Sequence, residues 1–213
     1  MKKICLVLLT LWVFSSGYAA NPTDGGKDTG KVVKISDDFV KESGMWSFDR
    51  GDWKVSGGIL AQTQNSAPHI AYCLLKNPMR LNALGVKFLL KPQWQGLVFT
   101  WAGSPDSWAS RYEVFMFPSV IALRKFSGGN QQDAAIFRKA PSAGTWHDLR
   151  INCGVDGQIT VNMDGEEIIK WQDLSPFFYL GSISLGTYCD TKAEFKDFTA
   201  EGMAGTPDKD RVQ

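Results

Sequence analysis

The chain reads as an all-β protein, a sandwich or barrel of antiparallel strands, on three observations. Short runs of aliphatic and aromatic residues follow one another from residue 32 to residue 200, with Gly, Asp, Asn and Pro between them. Many alternate apolar with polar at period two, as a strand with one buried and one wet face does. No segment carries a sustained helical stripe, and no propeller-type repeat is visible.

Taken in order, Val32–Ile35 is the first expected strand. Asp52–Val55 and Ile59–Thr63 flank Ser56-Gly57-Gly58, and His69–Leu75 stops before Asn77-Pro78. Leu84–Leu90 ends ahead of Pro92, and Leu97–Trp101 runs into Gly103-Ser104-Pro105-Asp106. Tyr112–Phe117 and Val120–Phe126 are separated by Pro118-Ser119; Ser127-Gly128-Gly129-Asn130 then precedes Ala134–Arg138. In His147–Cys153, Leu149, Ile151 and Cys153 alternate with Arg150 and Asn152. In Gln158–Met163, Ile159, Val161 and Met163 alternate with Thr160 and Asn162. Glu167–Trp171, Ser182–Thr187 and Glu194–Ala200 complete the set.

The crowded acids of Asp164-Gly165-Glu166-Glu167 invite a metal or catalytic reading, but their position argues for a turn. Asp-Gly between two alternating runs suits a type I′ hairpin, which needs positive φ at both central residues. Glu166 and Glu167 then open the return strand on opposite faces. Asp156-Gly157 is expected to close the preceding hairpin in the same way.

The ends and totals bound the setting. Lys2 and Lys3, the apolar run Cys5–Phe14, and small Gly17 and Ala19 form a secretory leader, predicting cleavage after Ala19 and export to the periplasm or medium. That run is too short to span a bilayer, and no second one follows. The expected organisation is a signal peptide at 1–19, a flexible segment at 20–36, a sandwich domain at 37–202 and a tail at 203–213. The charge is close to neutral, so nothing electrostatic favours nucleic acid or an anionic membrane. Cys73, Cys153 and Cys189 allow one disulfide or three buried thiols. His69 and His147 have no partners at zinc-ligand spacing, and neither receives a role.

Several segments resemble the concanavalin A-like superfamily. Trp46-Ser-Phe-Asp-Arg-Gly-Asp-Trp53-Lys-Val-Ser-Gly-Gly58-Ile-Leu is similar to its opening motif, and Gly144-Thr-Trp146-His-Asp-Leu-Arg-Ile to a later strand. Ile159–Ile168, Gly181-Ser-Ile-Ser-Leu-Gly186 and Ala193-Glu-Phe195-Lys-Asp-Phe198 resemble its closing elements. Laminin-G-like domains and the 3-keto-disaccharide hydrolase domain share this plan. The resemblance implies a jelly-roll sandwich of two curved antiparallel sheets whose concave face binds sugars. It implies no organic cofactor; it allows a structural calcium, for which Asp37, Asp38 and Asp197 are the candidates.

Family 16 laminarinases place acids on alternate residues of one strand, where two carboxylates flank a glycosidic bond. No such run occurs here: Glu113 is the only acid in Tyr112–Phe117. There is no G-x-S-x-G nucleophile turn and no phosphate loop. The suggestive stretch is Trp94 to Lys125, where aromatic rings that suit sugar C–H faces mix with polar groups that suit hydroxyls. Trp101, Trp108, Arg111, Tyr112, Glu113 and Lys125 are the expected ligand-binding residues, with Trp108 an exposed platform at the rim. Trp53, Trp146 and Trp171 read as core. The expected function is recognition of an oligo- or polysaccharide. Two alternatives stay open: glycoside cleavage of the 3-keto-disaccharide type, with Glu113 and an acid from another strand as catalysts, and a structural or adhesion sandwich.

Overall fold

Alternation becomes geometry in the computed structural model, which describes residues 31–64, 70–103, 109–177 and 180–204. The strands are β1 (Val32–Asp37), β2 (Trp46–Asp49), β3 (Asp52–Ser56), β4 (Ile59–Gln64), β5 (Ile70–Leu75), β6 (Met79–Leu90), β7 (Gly96–Gly103) and β8 (Arg111–Phe117). They continue as β9 (Val120–Ser127), β10 (Asn130–Phe137), β11 (Trp146–Cys153), β12 (Gln158–Met163), β13 (Glu166–Gln172), β14 (Ser182–Tyr188) and β15 (Ala193–Ala204).

Two antiparallel sheets result. The eight-stranded sheet runs β13-β12-β11-β6-β15-β4-β3, with β1 also paired to β15; the seven-stranded sheet runs β10-β9-β8-β7-β14-β5-β2. The chain crosses repeatedly between them, giving the concanavalin A-like jelly roll. Their inner faces enclose one core, with Leu84, Val86, Phe88, Leu149, Ile151, Phe195 and Phe198 from one sheet meeting Leu97, Phe99, Val114, Met116, Ile121, Leu123 and Leu185 from the other. Trp53 and Trp171 pack against this core as expected. Trp146 does not: it lies half-exposed with the Lys196 ammonium 4.2 Å from its ring.

The hairpin reading holds at one turn and changes at the other. Asp164 (φ 55°) and Gly165 (φ 83°) both take the left-handed region, as a type I′ turn requires. At Asp156-Gly157 only Gly157 does (φ 86°). There Gly157 N–H donates to the Gly154 carbonyl at 3.0 Å, and Gly154 N–H donates to Gln158 O at 2.7 Å. The loop is a type I turn closed by a glycine bulge rather than a two-residue hairpin.

Three further features depart from expectation. β2 is a strand, though three of its four residues are exposed and so show no alternation. β10 starts at the polar run Asn130-Gln-Gln-Asp133, because an edge strand with a wet face needs no apolar residues there. Val32–Asp37 pairs with β15, and β15 runs to Ala204, so the folded unit extends through 32–204 rather than 37–202. The expected leader at 1–19 lies outside the described residues, as do Trp108 and His69. Among the described residues no helix is long and apolar enough to cross a membrane.

Cys73, Cys153 and Cys189 are not joined by disulfides. Burial pushes the Cys153 thiol up to about 12 and raises Cys73 well above its ordinary range.

Candidate functional site

β8 separates the expected site residues onto two faces. Tyr112, Val114 and Met116 enter the core, so Arg111, Glu113, Phe115 and Phe117 face outward from the seven-stranded sheet. On β9, Ile121 and Leu123 are core residues and Arg124 is outward. The register then aligns four cross-strand pairs: Asp133 with Arg124, Arg124 with Glu113, Glu113 with Thr100, and Thr100 with Ser184. A polar row therefore crosses β10, β9, β8, β7 and β14 on their outer face.

Glu113 is the centre of the row and is only 2% exposed. Arg111 Nε donates to its Oε2 at 3.2 Å, and Arg124 Nη1 donates to its Oε1 at 3.3 Å. Arg124 Nε also donates to Asp133 Oδ1 at 3.1 Å, an oxygen that accepts from Gln131 Nε2 at 3.0 Å. Further along, the buried hydroxyls of Thr100 and Ser184 bond to each other. Both arginines lie on rings: Arg111 is 3.5 Å from the Phe126 centroid, and Arg124 is 4.9 Å from Phe115 and 5.2 Å from Phe117. Phe115 stacks on Phe117 and meets Tyr188 edge to face. These contacts fix the guanidinium planes.

The neighbouring row places Ala122, Phe115, Val98, Gly186 and Tyr72 side by side. Gly186 is required there: a Cβ would sit 2.8 Å from Val98 Cγ1 and 3.0 Å from the Tyr72 ring. Burial, and after it the Glu113 charge, pushes the Tyr72 phenol up to about 12.

The other expected ligand residues belong elsewhere. Trp101 is 2% exposed and stacks on Tyr112 inside the core, with ring centroids 5.5 Å apart. Parity is the reason: Leu97, Phe99 and Trp101 all point inward. The cavity beside Trp101 and Tyr112 holds about 30 Å³, room for roughly one water and not for a sugar. Tyr112 donates its hydroxyl to Asp173, and Lys125 Nζ reaches the same carboxylate at 2.7 Å and the Ser175 carbonyl. Phe177 N–H donates to the Tyr112 hydroxyl at 3.0 Å. Tyr112 and Lys125 thus fasten the segment after β13 over the end of the core; they do not present groups to a ligand.

The three calcium candidates are engaged within the chain. Asp37 accepts from Phe39 N–H, Ser43 Oγ and Trp46 Nε1; Asp38 accepts from Val40 N–H; Asp197 pairs with Lys87 at 2.8 Å. Among the described residues no group of three or more His, Cys, Asp and Glu side chains is placed to hold a metal ion. His147, given no role above, is a bridge: Nδ1 lies 2.7 Å from Asp164 Oδ2 and Nε2 lies 3.0 Å from the Ser142 carbonyl oxygen.

The eight-stranded sheet carries a groove of about 370 Å³ on its outer face, lined by Lys34, Ser36, Gly85, Arg150, Asn152 and Thr199 among others. No aromatic ring lines it, and its charged groups pair with their neighbours: Lys34 with Glu201 at 2.8 Å, Arg150 with Asp148 at 3.1 Å.

Arg124, Asp133, Phe117 and Tyr72 share this outer face with Arg111 and Glu113 but are not among the expected binding residues. The signal was available only as parity once β8, β9 and β10 are set in register, because their sequence neighbours look equally suitable.

No family model matches the chain, and no curated protein matches it. Solved structures match its fold. A Bacillus subtilis protein of unknown function with a galectin-like fold has a TM-score of 0.65 at 14% identity, covering 80% of this chain and 95% of that one. The carbohydrate-binding module CBM66 from Bacillus subtilis has a TM-score of 0.60 at 15% identity, covering 73% and 95%. A prokaryotic β-1,3-1,4-glucanase (lichenase) derived from a mouse hindgut metagenome has a TM-score of 0.61 at 14% identity, covering 80% and 99%. At such identities the likeness concerns fold: the chain is a concanavalin A-like jelly roll.

Proposed function

We propose that this chain is an exported carbohydrate-binding domain that takes a saccharide on the outer face of its seven-stranded sheet. One observation carries the reading: the row Asp133, Arg124, Glu113, Thr100 and Ser184, in register across five strands and bordered by Phe117, Tyr188 and Tyr72. Sugar hydroxyls need planar polar partners, which Arg124 and Asp133 offer at the open end of the row over the covered Glu113. Sugar C–H faces need flat rings, which the half-exposed Phe117 and Tyr188 offer beside them. The module and glucanase among the structural relatives support the same class of partner. Export rests on the leader-like residues 1–19. Trp108 is kept as the proposed rim platform.

Cleavage is the weaker reading. A glycosidase needs two carboxylates flanking the scissile bond, one of them delivering a proton. Glu113 is covered, and each of its oxygens accepts from a guanidinium, so it serves to orient Arg111 and Arg124.

Affinity electrophoresis in gels cast with individual polysaccharides tests this. We expect retardation by at least one glycan, reduced about tenfold or more by Arg124→Ala, reduced by Trp108→Ala, and unchanged by Arg150→Ala in the opposite groove. Loss in Arg150→Ala with retention in Arg124→Ala would move the site to the other sheet. Sugar release from polysaccharides or 3-keto-disaccharides that vanishes in Glu113→Gln would replace binding with catalysis.

A further inference from the structure

Resting on that reading, the atoms at the β9–β10 end of the row say what kind of saccharide it takes. Arg124 uses Nε on Asp133 and Nη1 on Glu113, and its Nη2 has no protein partner among the described residues. Asp133 uses Oδ1 on Arg124 and Gln131, and its Oδ2 has no such partner; its side chain is 42% exposed. A donor and an acceptor therefore stand next to each other at the surface, on adjacent strands. Phe117, half-exposed and beneath the guanidinium, supplies the neighbouring ring.

Charge decides the class. Arg111 and Arg124 are matched by Glu113 and Asp133, all four joined in one chain of ion pairs. An anionic ligand reaching Arg124 would meet Asp133 beside it and find no uncompensated cation in the row. A hydroxyl has the opposite fit, since it both donates and accepts. Two vicinal hydroxyls bridge the Asp133 Oδ2 and Arg124 Nη2 pair and satisfy both. We infer that the site selects a neutral saccharide, gripping a pair of adjacent hydroxyls between Arg124 and Asp133 with the ring face against Phe117. A row without net charge also makes this binding insensitive to salt, unlike recognition of a polyanion.

The test is affinity electrophoresis and isothermal titration against neutral glycans (β-glucans, fructan, xylan, galactomannan) and acidic ones (polygalacturonate, alginate, a sulfated galactan), each at low and high ionic strength. We expect binding to a neutral glycan whose affinity changes less than about twofold with salt. Asp133→Asn and Arg124→Ala should each weaken it about tenfold or more, and Phe117→Leu by a few-fold, with circular dichroism unchanged for the exposed Asp133→Asn. Binding confined to acidic glycans and lost at high salt, or neutral binding indifferent to Asp133→Asn, would overturn the neutral-diol assignment while leaving glycan recognition standing. Silence across both halves of the panel would remove glycan recognition itself.

Discussion

The two outer faces of the sandwich handle charge in opposite ways. On the eight-stranded sheet, Lys34–Glu201, Lys87–Asp197 and Arg150–Asp148 lie well exposed to water; the Lys87 and Asp197 side chains, for example, are 42% and 53% exposed. On the seven-stranded sheet, Glu113 is 2% exposed, and its two arginines, at 15% and 16%, lie on rings. Exposed pairs gain little, because water already solvates both ions; about 0–1 kcal/mol is usual. Covered ions lose that solvation and depend on each other, so removing one leaves the rest uncompensated. Water-facing surfaces do not need such an arrangement. Among the described residues it occurs on the face proposed above to take the ligand and not on the face opposite.

The largest effect should come from Glu113→Gln. The substitution keeps the shape and removes the charge that holds Arg111 and Arg124, and it should lower stability by about 3 kcal/mol in urea titrations. A loss below about 1 kcal/mol would mean that the covered row behaves like the exposed pairs opposite, and the contrast between the faces would collapse.

Alkaline pH sharpens the contrast at intermediate scale. Tyr72, on the seven-stranded face, is raised to about 12 by burial and then by Glu113. Between the sheets, Cys153 is raised to about 12 by burial, against a hydrogen bond from Trp101, and Tyr112 is raised by burial and then by Asp173. Each folded value lies above its unfolded one, so between the two the folded protein keeps a proton that the unfolded chain has lost. Stability is therefore complete below the ordinary thiol and phenol ranges, and falls as pH climbs from about 9 through about 12. Each group contributes a slope of up to about 1.4 kcal/mol per pH unit. Urea midpoints measured against pH should show the decline, with an onset shifted upward in Cys153→Ala. A flat profile to about pH 11 would place these groups in water-like surroundings.

How far the residues alone disclosed this can be traced at particular positions. Period-two alternation located most strands, since Leu149, Ile151 and Cys153 can share a face only in an extended chain. The same alternation misled at the site. Tyr112 and Glu113 are neighbours in sequence, so grouping them with Trp101 and Lys125 looked natural, yet parity sends Tyr112, Trp101 and Lys125 to one side of the sheet and Glu113 to the other. Arg124 and Asp133 meet because β9 pairs with both β8 and β10, a fact of register that composition does not hold. Asp173 was illegible for a similar reason: its partner Lys125 is 48 residues away in the chain.

The smallest effect concerns the exposed pair at Lys87 and Asp197, and it tests the comparison from its other side. Asp197 takes φ 52° at an irregularity of β15, between Lys196 and Thr199 in the register with β6. The Asp197 hydrogen bond and charge raise the Lys87 ammonium above its ordinary range. Both side chains nevertheless stand in water, so screening and side-chain entropy offset most of the attraction. A double-mutant cycle of Lys87→Ala and Asp197→Asn (Asn keeps the backbone tolerance for positive φ) should give a coupling barely resolved from zero in urea titrations, and weaker still with added salt. A coupling near that of Glu113 with its arginines would show that this face also shields its ions. The exposed charges of the eight-stranded sheet would then need a functional account of their own.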